Sequence, residues 1–100
     1  MKIKLPVLPE TMEIQFADKT MNWQDAVDWA KEQGGRLPTK FELQAIAEAG
    51  EIPKYRRGYY WSASTFSYTT GNAWNVDLND GYASGSDKTN AFNCGALCVR

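Results

Sequence analysis

Apolar and polar residues change their spacing along the chain, and the changes divide it into a strand, two helices and a β-rich second half. Met12-Glu13-Ile14-Gln15-Phe16-Ala17 alternates apolar and polar residues, the period of a strand with one face in a core. Upstream, Leu5 to Leu8 reads as a short strand that Pro6 confines to an edge. The period then lengthens. Trp23, Ala26, Val27 and Ala30 give one apolar face to a helix running through Lys31. Asn22 is placed to cap it by accepting from the backbone of Asp25, with Asp25 reaching back, and Gly34-Gly35 supplies the left-handed stop.

Arg36-Leu37-Pro38 reads as extended, because Pro38 keeps Leu37 out of helical space. Thr39 and Glu42 have the spacing of a capping box. The helix they open carries Phe41, Leu43, Ile46 and Ala47 on its apolar side and stops at Gly50. No helical period recurs after that. Tyr59 to Ser64 reads as a strand from its aromatics, and Ala73 to Leu78 as another, with Trp74, Val76 and Leu78 on one face and Asn75, Asp77 and Asn79 on the other. Asn79-Asp80-Gly81 predicts a tight type I′ hairpin, and the return strand begins near Tyr82. Gly85 to Asn90 reads as a polar loop, and Ala91 to Arg100 as a last strand broken at Gly95. The fold class is α+β.

Composition narrows the functions. With 100 residues, 43% hydrophobic and 13% aromatic, the chain is expected to form a single domain over 1–100 around one core. A net charge of −1 argues against a general nucleic-acid binder, which needs a basic face to displace phosphate counterions. There is no His, so Ser-His-Asp and Cys-His catalysis are excluded, and Cys94 and Cys98 alone are too few for a Cys/His zinc site. Pro6, Pro9 and Glu10 interrupt the amino terminus short of a signal-peptide core, and no apolar run reaches the ~20 residues that span a bilayer. A cytoplasmic or virion-associated protein without membrane contact is expected.

Three phrases stand in fixed order, Gly34-Gly35-Arg36-Leu37-Pro38-Thr39-Lys40-Phe41-Glu42-Leu43, Tyr60-Trp61-Ser62-Ala63-Ser64 and Ala73-Trp74-Asn75-Val76-Asp77-Leu78-Asn79-Asp80-Gly81, with Cys98-Val99-Arg100 closing the chain. Together they resemble the Lcl C-terminal-like domain family, bacterial and phage domains of unknown function with a C-type-lectin-like fold, related to the formylglycine-generating enzymes. The resemblance runs from about Met12 to Arg100. It implies two helices beside a twisted antiparallel sheet, terminal strands lying close together, and a binding face made by the loops between Thr65 and Asn72 and between Tyr82 and Asn93. Those loops are rich in Ser, Thr, Tyr, Gly and Asn, residues that suit recognition.

The candidate ligand-binding residues are Tyr59, Tyr68 and Tyr82 as exposed aromatics, Asn72 in the loops, and Lys54, Arg56 and Arg57, three cations set among tyrosines. Trp61 and Trp74 are assigned to the core, where Trp74→Ala would cost about 3–5 kcal/mol. Asn75, Asp77, Asn79 and Asp80 could supply oxygens to Ca²⁺, but they match only loosely the Trp-Asn-Asp triplet of calcium-dependent lectins, and the Glu-Pro-Asn type loop is missing. A calcium-independent module with no metal and no cofactor is expected. By resemblance to the formylglycine-generating enzymes, Cys94 and Cys98 raise copper-dependent oxidation, against which stand their spacing of four, the short chain and the missing substrate-binding insertions. The reading is a non-enzymatic binding module, a phage or prophage virion component or host-protein inhibitor, with a protein partner first, carbohydrate as the alternative and copper-dependent oxidation second.

Overall fold

The structure, a computed structural model, describes residues 2–4, 11–66 and 70–100. Leu5 to Leu8 and Tyr68 therefore lie outside the described residues. Strands β1 (Lys2–Lys4) and β2 (Thr11–Phe16) lead into helix α1 (Trp23–Glu32) and helix α2 (Lys40–Ala49), followed by a 3₁₀ turn at Lys54–Arg56. Strands β3 (Tyr59–Thr65), β4 (Asn72–Asp77), β5 (Ala83–Asp87) and β6 (Leu97–Val99) complete the order.

Both helices begin where their caps demand. The Asn22 side chain accepts from the amide of Asp25 at 2.8 Å, satisfying one of the orphan donors of the first turn. Thr39 and Glu42 make the reciprocal capping box, and the left-handed Gly50 closes α2. Between the helices, the Arg36 guanidinium grips both Glu42 carboxylate oxygens at 2.7 and 2.8 Å. That bond holds the Glu42 carboxyl below its ordinary range, helped by the Thr39 contacts.

Among the described residues the strands form two antiparallel sheets of three, in the orders β1-β2-β6 and β3-β4-β5. The amino-terminal and carboxy-terminal strands thus pair, with Ile14 opposite Val99 and Phe16 opposite Leu97. The sheets join where Gly95 bridges Tyr60 in parallel, the Gly95 amide donating to Tyr59 and the Gly95 carbonyl accepting from Trp61.

Successive residues of a strand face opposite ways, and here both ways lead into a core. Tyr60, Val76, Leu97 and Val99 pack with Leu43 and Ile46 of α2, whereas Trp61, Ala73, Cys94 and Cys98 pack with Ala26 and Ala30 of α1. The strand layer is thus enclosed by a helix on each side. This corrects the expected half-polar strand at Ala73–Leu78. Asn75 is 1% exposed, while Trp74 is only half-buried and rests against Phe66 with ring centroids 4.4 Å apart. Phe41 is corrected as well: it is 72% exposed, turned away from the face that buries Leu43 and Ile46.

The hairpin lies where expected but is wider than a type I′ turn. Among the described residues no non-glycine has positive φ, whereas a type I′ turn needs two positive φ values in a row. Only Gly81 takes one (+80°), and Leu78, 2% exposed, is held inward as its amide donates to Gly58. The expected Gly85–Asn90 loop begins instead as strand, since β5 continues to Asp87, and the expected long final strand shortens to Leu97–Val99.

Two stability outcomes follow from this packing. Trp61 is fully buried and its indole nitrogen donates to the Met21 carbonyl at 2.7 Å, so Trp61→Ala should cost about 3–5 kcal/mol and the half-exposed Trp74→Ala about half as much in urea melts. Equal losses would contradict the enclosed layer. At Gly35 an added Cβ would sit 2.6 Å from the Val99 carbonyl oxygen, so Gly35→Ala should destabilise by about 1–3 kcal/mol. The control Gly71→Ala, with open space around it, should stay within about 0.5 kcal/mol.

Candidate functional site

The segment after α2 builds the site. Pro53 starts the 3₁₀ turn, whose closing bonds run from the amides of Arg56 and Arg57 to the carbonyls of Pro53 and Lys54. The Tyr60 hydroxyl donates to the Arg56 carbonyl and anchors the turn to β3. Burial raises the Tyr60 phenol pKa, against the pull of Arg56, so the hydroxyl stays protonated as a donor.

The three expected cations behave differently. The Arg56 guanidinium donates to the Ala17 carbonyl at 3.3 Å, lies 3.8 Å from the Asp18 carboxylate and sits over the rings of Phe16 and Tyr55 at 5.2 and 5.6 Å. Arg57 donates to the Ile52 carbonyl at 3.0 Å. Both arginines brace the fold while lining a cleft, and Lys54 is exposed on the turn. Tyr59 and Tyr82 are exposed as expected, at 42% and 63%.

Three clefts run together here. One of about 380 Å³ lies between β2 and the 3₁₀ turn, with Gln15, Tyr55, Arg56 and Arg100 among its walls. The second, about 280 Å³, shares Tyr55 and Arg56 with the first and adds Lys19, Arg57, Tyr59 and Asn93. The third, about 340 Å³, shares Tyr59 and Asn93 with the second and is otherwise walled by Asn75, Ser84, Ser86 and Cys94. The shared residues make a trough that passes from charged to neutral polar chemistry, with Tyr59 at the junction.

The neutral end is preorganised. The Ser84 hydroxyl donates to the Asn75 carboxamide oxygen at 2.8 Å, and the Asn75 carboxamide nitrogen donates to the Ser86 hydroxyl at 2.8 Å. This locks the carboxamide in one orientation and leaves the serines facing the cleft. The sequence pattern assigned Asn75 to an exposed hairpin face, and the resemblance placed Ser84 and Ser86 in a binding loop between Tyr82 and Asn93 without singling any of these residues out. Their signal is cross-strand pairing of small hydroxyl residues with Asn75, which requires the β4–β5 register.

The remaining expected residues are distributed more widely. Asp77 pairs with Tyr59 and its amide donates to the Tyr82 carbonyl, so Tyr82 stands two strands across, about 10 Å from Tyr59 along the hydrogen-bonding direction. Asn72 pairs with Asp87 at the other end of β4, five residues from Asp77 and so about 16 Å away. The structure therefore brings Tyr59, Arg56 and Arg57 together and leaves Tyr82, Asn72 and Lys54 outside the trough walls.

The cysteines sit in the core beneath it, both free and buried. Burial pushes the Cys94 thiol up to about 11, against a hydrogen bond from Ser86. Cys98 receives a contact from Arg100 at 3.2 Å. A thiol that burial holds protonated at neutral pH is a poor nucleophile. Among the described residues no group of three or more Cys, Asp or Glu could hold a metal, and no helix is long and apolar enough to cross a membrane.

The two helices and antiparallel sheets define a C-type-lectin-like α+β fold. The chain superimposes with a TM-score of 0.72 on the C-terminal 282-residue fragment of intimin, crystallised with the intimin-binding domain of the translocated intimin receptor Tir. The alignment has 26% identity and covers 87% of this chain but 34% of the intimin fragment, so the chain spans about a third of that neighbour. The Lcl C-terminal domain model matches residues 7–100, and the chain belongs to that family. No curated protein matches it.

One outcome tests the thiol chemistry. Native protein should alkylate at Cys94 far more slowly than the guanidinium-unfolded chain near neutral pH, with the native rate climbing as pH rises towards about 11, since the thiolate is the reacting form. Fast native labelling at neutral pH, read by mass spectrometry, would show an open thiolate instead.

Proposed function

We propose that the chain acts as one non-enzymatic domain that binds a protein partner. The observation that carries this reading is the trough, in which three clefts are strung together through Tyr55 with Arg56 and through Tyr59 with Asn93. An elongated, open channel suits an extended stretch of another protein better than a compact small molecule, which needs most of its surface enclosed. Tyr59 is the central contact, a rigid amphipathic ring at low entropic cost. Arg56 and Arg57 supply positive charge beside the carboxylates of Glu13 and Asp18, Tyr82, Asn72 and Lys54 are secondary contacts of the surrounding surface, and Tyr68 remains a candidate from the sequence. The intimin fragment, solved with its Tir domain, supports protein binding on a similar scaffold.

A second reading rests on the neutral end of the trough. Ser84, Ser86 and Asn93, the serines oriented by the buried Asn75, present donors and acceptors of the kind that pair with sugar hydroxyls, and Tyr59 offers a ring to an apolar sugar face.

The test is affinity capture from bacterial lysate with tagged wild-type protein and with Tyr59→Ala. The side chain of Tyr59 is already part-exposed, so the variant should melt like the wild type. A stoichiometric partner should be retained by the wild type and lose on the order of 2 kcal/mol of affinity with the variant, as a hot-spot aromatic does. Capture unaltered by Tyr59→Ala would remove the trough from the interface. Glycan binding sensitive to Tyr59→Ala, with no protein retained, would transfer the site to the second reading.

A further inference from the structure

A separate surface carries a different chemistry. A half-open groove of about 450 Å³ runs between α1, the α1–α2 connection and β3, and shares no residue with the trough. Its apolar walls are Trp23, Val27, Leu37 and Ala63, of which Ala63 is exposed on β3 and Val27 is half-buried on α1. Trp23 is fixed in place: its indole nitrogen donates to the Ser62 carbonyl at 2.8 Å.

Every charged residue in the groove walls is a cation. Lys31 and Arg36 line it, Arg36 already paired with Glu42, and among the described residues no carboxylate does. Two more ammonium groups stand close by, Lys88 at 4.1 Å from the Trp23 ring and Lys40 at 4.3 Å from the Trp74 ring, the amide of Lys40 being tied to Ser64 beside Ala63. The acids of α1 lie elsewhere, Asp25, Asp28 and Glu32 lining a different hollow with Trp29. Glu42 is taken up by the Arg36 guanidinium. An apolar floor with a one-signed rim therefore sits on a chain whose net charge is −1.

We infer that this groove is a second docking site, for an acidic amphipathic segment of a partner protein. The inference rests on the reading of the chain as a protein-binding module and adds a second face to it. One or two large apolar side chains, spaced as on a helix face, fill the space between Trp23, Val27 and Ala63, and neighbouring carboxylates meet Lys31 and Lys88. Charge complementarity selects an acidic segment over a basic one and speeds its encounter. Openness on one side favours a segment of a larger partner, since a free small molecule would be left half in water.

The test is selection from a displayed library of random short peptides against the whole protein, followed by titration of the winners. The expected winners combine large apolar residues with Asp or Glu. Their affinity should fall about tenfold or more with Ala63→Glu, which fills the groove with a like charge, and less with Lys31→Glu, while Tyr59→Ala leaves it unchanged. Both substituted positions are exposed, and matching melting curves confirm that the variants fold. Winners that depend on Tyr59 and ignore Ala63→Glu would overturn the groove and leave the trough standing. Basic or purely polar winners would overturn it too. A concentration-dependent dimer abolished by Ala63→Glu, with no groove-dependent peptide, would overturn it by giving the groove to a second copy of the chain.

Discussion

The segment Cys94–Val99 holds the molecule together, because its backbone is shared among elements that otherwise do not pair. The Cys94 carbonyl accepts from Met21, Gly95 exchanges bonds with Tyr59 and Trp61, the Ala96 carbonyl accepts from Ala17, and Val99 exchanges bonds with Arg36. Six residues thereby reach the loop before α1, strand β3, the end of β2 and the connection between the helices. Their side chains add to this by alternating, Leu97 and Val99 to the α2 side and Cys98 to the α1 side. A strand in that position has no solvent face, and Leu97, Cys98 and Val99 are all buried. The close approach of Gly35 to the Val99 carbonyl follows, since the returning chain must pass within hydrogen-bonding distance.

That central strand also explains what the sequence could and could not convey. Caps are local, so Asn22, Thr39 with Glu42, and Gly50 were readable from a few residues each and recur in the structure. The pairing of amino-terminal and carboxy-terminal strands came from the family resemblance, and no local pattern would have supplied it. Face assignments failed where alternation was taken to mean one wet side. On β4 both sides are covered, by α2 and by the Cys94 segment, so Asn75 is buried and Trp74 moves to the margin beside Phe66. Polar burial of this kind is tolerated because Ser84 and Ser86 satisfy the carboxamide.

The same geometry decides how much of the candidate site could be foreseen. Exposure of Tyr59 and Tyr82 follows from aromatic residues at strand ends near turns, and composition pointed to them. The arginines were recognisable as a cationic cluster, yet their carbonyl partners, Ala17 for Arg56 and Ile52 for Arg57, depend on how β2 and the 3₁₀ turn meet. Asn93 owes its place to the Cys94–Val99 segment, which carries it to the junction of two clefts. Nothing within a few residues of Asn93 signals this.

Charge placement ties the two surfaces to a common logic. A small chain with nearly balanced charge has no global field, so its charged character lies in local segregation. Here α1 separates its acids, which face Trp29, from Lys31, which faces the apolar groove. The trough separates its arginines from the neutral Asn75–Ser84–Ser86 end. In each case an aromatic residue stands at the surface concerned: Trp23, tied to the Ser62 carbonyl, and Tyr59, opposite Asp77 in β3. Both anchors belong to β3 or bond to it, and β3 is the strand that Gly95 locks to the carboxy-terminal segment. Rigidity generated in the core thus reaches both faces through one strand, which holds the Trp23 indole and the Tyr59 backbone in place.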